Sequence, residues 1–272
     1  MPMRYNIIIF TDLDGTLLDL RTYSFDAALP ALRMIADNDV PLILCSSKTR
    51  AEIEHYRKKL GNEHPFIAEN GGALFIPEGY FAASFPYKEM RDGYHVIELG
   101  TPYATLRKAL KNVEAEGGFR IKGFGDMTTE SVMELTGLSR QEAELSRQRE
   151  YDEPFVIEKG EEQEIIAAIR KKGLQVAQAR YLHLLGANDK GKAVTILKGL
   201  YRTARPDARA MALGDSPNDL PMLQIVDVPV LVRKPDGSYD QRVFFDRLQK
   251  ADGIGPEGWN RAVIDFLTSS HP

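Results

Sequence analysis

Four short polar segments contain side chains that could hold a metal ion and a phosphate group together. They are Asp12-Leu13-Asp14-Gly15-Thr16, Ser46-Ser47-Lys48, Asn188-Asp189-Lys190-Gly191 and Gly214-Asp215-Ser216-Pro217-Asn218-Asp219. Three of them follow short apolar runs, and the Lys190 segment opens a predicted helix. Because ligands of open α/β sheets bind outside the carboxyl ends of the strands, we expect these segments to meet at one site.

Four carboxylates dominate this expected site, those of Asp12, Asp14, Asp215 and Asp219. Carboxylates brought this close raise one another's pKa unless a cation is bound. Oxygen ligands at an open site suit Mg²⁺, which keeps several waters and bridges to substrate phosphate. Lys190 and the Ser46 hydroxyl would then bind phosphate oxygens away from the metal. The residues alone predict the cluster and the cation, but not which aspartate attacks.

Each segment also has a plainer interpretation. Asp-x-Asp-Gly is typical of turns, and Lys190 is compatible with an exposed first helical turn capped by Asp189, although a cation is unfavourable there. Ser46 could cap a strand end. The buried run around Cys45 favours a packed thiol over a nucleophile, since no activating group is predicted beside it. The combination of segments, rather than any one of them, favours a catalytic site.

Further residues are predicted to contact the substrate. Lys48 and Arg50 are candidates for binding a substrate carboxylate, whereas Asn70 lies in Glu69-Asn70-Gly71-Gly72, which is also a plausible tight turn. Arg180 and His183 lie near predicted strand ends in the middle of the chain, where solvated surface is the plainer alternative. The full set of predicted substrate contacts is Ser46, Ser47, Lys48, Arg50, Asn70, Lys190, Asn218, Arg180 and His183.

The elements that position these residues read as an α/β fold. Residues 6–11, 40–45, 66–68, 208–213 and 228–232 are short, apolar and non-alternating, as expected for parallel strands buried on both faces. Helical segments separate them, and Thr49-Arg50-Ala51-Glu52 matches a capping box for a helix that Gly61 could stop. A doubly wound parallel sheet is therefore predicted.

The middle of the chain has a different pattern. Helices are predicted near 102–115, 128–135, 139–149 and 161–172, with strands at 95–99, 155–157, 174–179 and 181–185. This mixture predicts an inserted α+β domain at 86–187, between core parts at 1–85 and 188–272. The run Arg140 to Arg149 is interpreted as a mostly exposed helical face, and Trp259 as a packing anchor for a C-terminal helix over 260–267.

Composition excludes several classes of protein. The chain has 272 residues with 35 basic and 39 acidic side chains, hence a net charge of −4, and 43% hydrophobic residues. These values are typical of a globular protein and lack the basic stripe of a nucleic-acid binder. No apolar run suits a membrane span, the start of the chain does not resemble a signal peptide, and the single cysteine allows no intrachain disulfide. A cytoplasmic protein with a small-molecule substrate is expected; the oligomeric state is left open.

The motifs together resemble those of the haloacid dehalogenase (HAD) phosphatase superfamily, in the same order along the chain. Other segments are similar to the mannosyl-3-phosphoglycerate phosphatase family: Leu44-Cys45-Ser46-Ser47-Lys48-Thr49, Ala68-Glu69-Asn70-Gly71-Gly72, Gly123-Phe124-Gly125-Asp126-Met127, Glu134-Leu135-Thr136-Gly137-Leu138, Asp152-Glu153-Pro154-Phe155 and Gly255-Pro256-Glu257-Gly258-Trp259. The resemblance implies a HAD-like core with an inserted α+β (C2-type) cap.

The resemblance also implies roles. Asp12 would be the nucleophile that becomes an aspartyl phosphate, and Asp14 the acid and then the base. Mg²⁺ would be held by the Asp12 carboxylate, the Asp14 backbone carbonyl and Asp215, with Asp219 as supporting residue or further ligand. Ser46 and Lys190 would bind phosphoryl oxygens, supported by Asn218. The implied reaction is hydrolysis of mannosyl-3-phosphoglycerate to mannosylglycerate, a compatible solute, and phosphate. The alternatives are the glucosyl epimer or another sugar phosphate, a phosphotransferase or mutase, and a non-enzymatic sugar-phosphate sensor.

Overall fold

The structure is a computed structural model and describes residues 6–269. The prediction that Met1 to Thr11 does not resemble a signal peptide falls partly on Met1–Tyr5, which lie outside the described residues. The strands are β1 (Ile7–Thr11), β2 (Leu42–Cys45), β3 (Phe66–Ala68), β4 (Ala73–Pro77), β5 (Glu89–Arg91), β6 (Tyr94–Glu98), β7 (Arg120–Gly123), β8 (Asp152–Lys159), β9 (Gln175–Gln178), β10 (Leu182–Leu185), β11 (Arg209–Gly214), β12 (Val228–Arg233) and β13 (Gln249–Ile254).

The helices agree with the predicted alternation. They are α1 (Leu29–Asp37), α2 (Arg50–Leu60), α3 (Tyr103–Gly117), α4 (Thr129–Thr136), α5 (Arg140–Ser146), α6 (Glu162–Lys171), α7 (Lys190–Ala204), α8 (Leu220–Leu223) and α9 (Pro256–Ser269), with short 3₁₀ turns at 26–28, 69–71, 124–126 and 217–219. Within residues 6–269, no helix is both long enough and apolar enough to cross a membrane.

A nine-stranded sheet in the order β13-β12-β11-β1-β2-β3-β4-β6-β5 forms the core. The six strands from β13 to β3 are parallel, and β4, β6 and β5 continue the sheet antiparallel. Successive residues of β1 belong to different apolar clusters. Ile7 and Ile9 pack in one cluster, and Ile8 and Phe10 pack in the other. Both faces of the sheet are therefore buried under helices, as the non-alternating sequence predicted.

The C-terminal helix fixes the end of the central strand. Trp259 is fully buried near the start of α9, and its indole N–H donates a hydrogen bond of 2.9 Å to the Thr11 hydroxyl. Thr11 is the last residue of β1 and precedes Asp12. Trp259 is thus the predicted packing anchor, and α9 begins at Pro256, earlier than predicted.

A separate four-stranded antiparallel sheet has the order β7-β8-β10-β9. One face packs on α3 and α6 through a cluster that includes Phe155 and Leu184. Because side chains alternate along strands, Asp152 and His183 lie on the other face. Strands β5 and β6 pair with the nine-stranded sheet, so the predicted strand at 95–99 does not belong with the inserted sheet. The domain boundaries at 85/86 and 187/188 stay predictions.

Candidate active site

Three carboxylates meet at the carboxyl ends of the central strands. Asp12 follows β1 and Asp215 follows β11, and these strands are parallel neighbours with Thr11 opposite Leu213. Oxygens of Asp12, Asp215 and Asp219 lie within 4.8 Å of one another, and all three residues are buried. This oxygen-only set has the chemistry of a site for a hard divalent cation.

Lys190 lies among these carboxylates. Its ammonium nitrogen is 2.6 Å from Asp12 Oδ1 and 2.6 Å from Asp219 Oδ1, and the side chain is fully buried. Asp189 caps the N-terminus of α7 by accepting the Lys192 N–H. Lys190 is therefore the first residue of the helix and lies at the carboxyl-terminal edge of the sheet. The predicted exposed alternative for Lys190 is therefore wrong.

The charges of this cluster do not balance without a cation. Burial raises the pKa of Asp12 to about 7, while Lys190 opposes the increase and Asp219 adds to it. Burial, with the Asp219 and Asp12 carboxylates, also raises the pKa of Asp215. With its carboxylates ionised, the group carries three negative charges against one positive. A divalent cation would offset the remaining two and favour the ionised carboxylates.

Gly15 permits the close approach of the first and last motifs. It has a φ of +81°, and a Cβ at this position would lie 2.8 Å from Asp215 Oδ2. A side chain here would be strained by the backbone conformation and would also displace a candidate metal ligand. The Asp-x-Asp-Gly segment is therefore a turn, as its plainer interpretation held, and a turn that contacts the site.

Asp14 lies apart from the three-carboxylate group, at the edge of an open cleft. Its Oδ2 is 2.9 Å from the Lys48 ammonium, which also lies 3.4 Å from Glu52. Although burial lowers the pKa of Lys48, the Asp14 and Glu52 carboxylates raise it above its ordinary value. Two acids already compensate Lys48, so the structure favours a role in holding Asp14 over binding a substrate carboxylate.

The structure does not bring Arg50 to the cleft. Its guanidinium lies 2.7 Å from Asp92 and 3.5 Å from Glu150. Arg50 is the first residue of α2, beside the N-cap Thr49, and its side chain points along the β5–β6 hairpin instead. Its predicted contact with a substrate carboxylate is not supported by this geometry.

A cleft of about 220 Å³ opens between the two sheets above the carboxylates. The predicted site residues that line it are Asp12, Asp14, Ser47, Lys48, Arg180, His183, Asp215 and Asn218. Asp219 and Lys190 are buried beneath it. Ser46 is buried at the end of β2, where its hydroxyl accepts the Lys48 N–H at 3.2 Å. Asn70 is buried, and its Oδ1 accepts a hydrogen bond of 3.0 Å from Asn218 Nδ2.

Sequence reasoning missed Arg149. Helix α5 ends at Ser146 rather than at residue 149, so the run 140–149 is not one exposed helical face. The Arg149 side chain is only 5% exposed and donates hydrogen bonds of 2.7 Å to the backbone carbonyls of Ser146 and Ser47. It joins the inserted segment to the loop after β2, and its side chain lines the cleft. Nothing in the local sequence distinguishes it from the exposed arginines nearby.

Cys45 behaves as the packed thiol that the sequence predicted. It is fully buried in β2, and burial raises the pKa of its thiol well above the ordinary value. A protonated, inaccessible thiol is a poor nucleophile.

Comparisons with known proteins show the family to which the chain belongs. Residues 9–95 match the family described as haloacid dehalogenase-like hydrolase. The chain is 48% identical to a glucosyl-3-phosphoglycerate/mannosyl-3-phosphoglycerate phosphatase of Methanococcoides burtonii over 96% of this chain and 97% of that one. It is 39% identical to a mannosyl-3-phosphoglycerate phosphatase of Pyrococcus furiosus over 83% and 90% of the two chains.

The fold is also shared with solved structures of low sequence identity. The sucrose-phosphatase of Synechocystis sp. PCC6803, solved with sucrose and phosphate, superposes with a TM-score of 0.62 at 16% identity, over 96% of this chain and 98% of that one. A HAD subclass IIB sugar phosphatase gives a TM-score of 0.64 at 16% identity, over the same shares of the two chains. At these identities the likeness shows the fold alone.

Proposed function

We propose that this chain, a phosphoric monoester hydrolase of the haloacid dehalogenase-like hydrolase family, is a Mg²⁺-dependent phosphatase of glycosyl-3-phosphoglycerates. Mannosyl-3-phosphoglycerate is the proposed substrate, and the glucosyl epimer is the alternative. The observation that carries the proposal is the buried group of three carboxylates and Lys190 beneath a cleft lined by cationic side chains. The relatives named for both substrates support it. The predicted cytoplasmic location stays a prediction.

The proposed chemistry uses two aspartates in sequence. An Asp12 carboxylate oxygen attacks phosphorus, the bond from phosphorus to the glycerate oxygen breaks, and Asp14 gives that oxygen its proton. A water molecule then attacks the aspartyl phosphate, Asp14 takes the water proton, and phosphate leaves with the Asp12 carboxylate restored. Asp12, Asp215 and Asp219 would hold Mg²⁺, which reduces repulsion between carboxylate and phosphate.

The other side chains hold these groups in place. Lys190 neutralises part of the Asp12 and Asp219 charge. Lys48 fixes the Asp14 carboxylate beside the cleft, where that carboxylate is 31% exposed and can exchange protons with substrate and water. We also propose that the inserted segment acts as a cap that excludes bulk water while the phosphoryl group is transferred.

The test is phosphate release from mannosyl- and glucosyl-3-phosphoglycerate by the wild-type protein and by Asp12→Asn. Wild type should release phosphate with Mg²⁺ and lose activity in excess chelator, and Asp12→Asn should be at least about 10³-fold slower because the attacking oxygen is lost. The variant's circular dichroism should match that of wild type. Substantial turnover by Asp12→Asn with metal present would refute the assignment of the nucleophile. Consumption of substrate without free phosphate would favour a phosphotransferase instead.

A further inference from the structure

A buried pair of side chains on the inner face of the inserted sheet has no role in the chemistry above. Strands β8 and β10 are antiparallel neighbours, and they bring Asp152 and His183 together. The His183 Nδ1 atom lies 2.9 Å from Asp152 Oδ1 and 3.0 Å from Oδ2. Asp152 is 0% exposed and His183 4% exposed. The ring of His183 nevertheless lines the catalytic cleft.

This contact decides which ring nitrogen carries the proton. Asp152 Oδ2 already accepts a hydrogen bond from Asn70 Nδ2, so we assign the Nδ1–H of His183 as the donor in this contact. In the neutral ring, Nε2 is then left with a lone pair, and no described residue forms a hydrogen bond with it. The neutral ring of His183 therefore presents an acceptor to the cleft. An acceptor suits a sugar hydroxyl and disfavours the carboxylate of a sugar acid.

Asp152 is itself held from the opposite sheet. Asn70 Nδ2 donates a hydrogen bond of 2.8 Å to Asp152 Oδ2, and Asn218 Nδ2 donates one of 3.0 Å to Asn70 Oδ1. Ser216 then donates from its hydroxyl to Asn218 Oδ1 at 2.7 Å. Asn70 has a φ of +54°, a left-handed conformation that asparagine tolerates better than most residues. The chain of hydrogen bonds runs from His183 to the loop that carries Asp215 and Asp219.

We propose that Asp152 is a positioning residue that orients His183 to accept a hydrogen bond from a sugar hydroxyl of the substrate. Through Asn70 and Asn218, the same residue fixes the distance between the sugar contact and the phosphoryl site. The proposal rests on the proposed function for the identity of the sugar. The orientation of His183 does not depend on that identity, so the proposed function and the orientation of His183 can fail separately.

The variant Asp152→Asn reverses the hydrogen bond. Its amide can donate to Nδ1, which moves the ring proton to Nε2 and turns the acceptor in the cleft into a donor. Long-range ¹H–¹⁵N NMR should show the Nδ1-protonated ring in wild type and the Nε2-protonated ring in Asp152→Asn, with His183→Gln assigning the signal. We expect KM for the glycosyl substrate to rise about 10- to 100-fold in Asp152→Asn, the usual effect of an unpaired polar contact.

p-Nitrophenyl phosphate, which has no sugar, separates positioning from general damage. Its hydrolysis should change less than about threefold in Asp152→Asn, since the amide oxygen of the variant can still accept from Asn70 Nδ2 and so keeps the support of the phosphoryl site. The matched control is Glu158→Gln, the same chemical change at an exposed residue of β8, which should leave both substrates and the tautomer unaltered. An unchanged tautomer, or an equal loss with both substrates, would overturn the proposal. A wild type that cleaves p-nitrophenyl phosphate but neither glycosyl-3-phosphoglycerate would overturn the proposed function, and the NMR comparison would still decide the orientation of His183.

Discussion

At the scale of single residues, Arg180 differs from the other arginines that line the cleft, since Arg149 lies 3.7 Å from Glu52 and Arg242 pairs with Asp240. Lys48 pairs with Asp14 and Glu52, and Lys234 and Arg242 both pair with Asp240. Arg180 forms no salt bridge with any residue that the structure describes. Its guanidinium donates to the Tyr23 hydroxyl at 3.1 Å. It is the cleft side chain best placed to meet a second negative charge on the substrate.

We therefore predict that Arg180→Gln weakens binding of substrates that carry a carboxylate. KM for glycosyl-3-phosphoglycerates should rise about 10- to 100-fold, because a charge-assisted hydrogen bond is lost. KM for a hexose phosphate without a carboxylate should change little. Steady-state kinetics with both substrates provide the measurement, and Arg140→Gln, at an exposed residue paired with Glu130, is the control. A similar increase in KM for both substrates would contradict the prediction.

Residue positions were predictable where the backbone determines the direction of the side chain. Asp12 and Asp215 follow parallel neighbouring strands, so their convergence follows from the sheet alone. Arg50 and Arg149 lie at a helix start and after a helix end, where long side chains can take several directions. Partners distant in the sequence, Asp92 for Arg50 and the Ser47 carbonyl for Arg149, determined which direction each took.

At the scale of elements, the segment between α5 and β8 joins the two sheets through a buried acid. Glu69 accepts the Glu150 N–H at 3.0 Å and also the Tyr151 N–H. Burial raises the pKa of Glu69 from 4.5 to about 8, with Arg149 opposing the increase. Between these values the folded protein holds a proton that the unfolded chain releases. The contribution of Glu69 to stability therefore falls as the pH rises from about 4.5 to about 8.

Glu69→Gln should remove this pH dependence, because glutamine titrates in neither state. The free energy of unfolding of wild type minus that of the variant should decrease with pH, with a slope of up to about 1.4 kcal/mol per pH unit. Urea unfolding at several pH values between 5 and 9 measures it. Glu63→Gln, at an exposed site, should give a flat difference. Parallel curves for wild type and Glu69→Gln would show that the burial of Glu69 does not shift its titration.

Local sequence determined helices better than strand partners. The capping box of Thr49 and Glu52 and the left-handed Gly61, with φ of +60°, are present as predicted. The strand predicted at 95–99 is observed at 94–98, but its partner β4 was not predicted, and the strand was assigned to the wrong sheet. A capping box acts within one turn of the chain, whereas pairing depends on which edge is available in the folded molecule.

At the scale of the whole molecule, the carboxylates of the candidate active site would couple the proposed metal binding to stability. They have few cationic partners in the interior, so a bound divalent cation should stabilise the folded state over the unfolded chain, which lacks the site. We predict that Mg²⁺ at about 100 times its Kd raises the free energy of unfolding by about 2.7 kcal/mol.

Thermal unfolding in chelator and in Mg²⁺ measures this effect. Asp215→Asn should lose most of the increase in Tm, since a candidate ligand is removed. Asp265→Asn, at an exposed position of α9, should retain it. An equal increase in Asp215→Asn would place the metal elsewhere.

The pairing of β1 with β11 also constrains the order of folding during synthesis. One neighbour of β1, the strand β2, follows early in the chain, but Ile7 lies opposite Arg209, so the other edge of β1 must wait on the ribosome for a neighbour encoded about two hundred residues later. All strands of the four-stranded sheet, β7 to β10, leave the ribosome before β11 does. Contacts between such distant segments form slowly and leave apolar strand edges unprotected in the meantime. The nascent chain therefore carries β1 with one edge unpaired through most of translation, which makes residues 7–11 a segment that chaperones would have to protect.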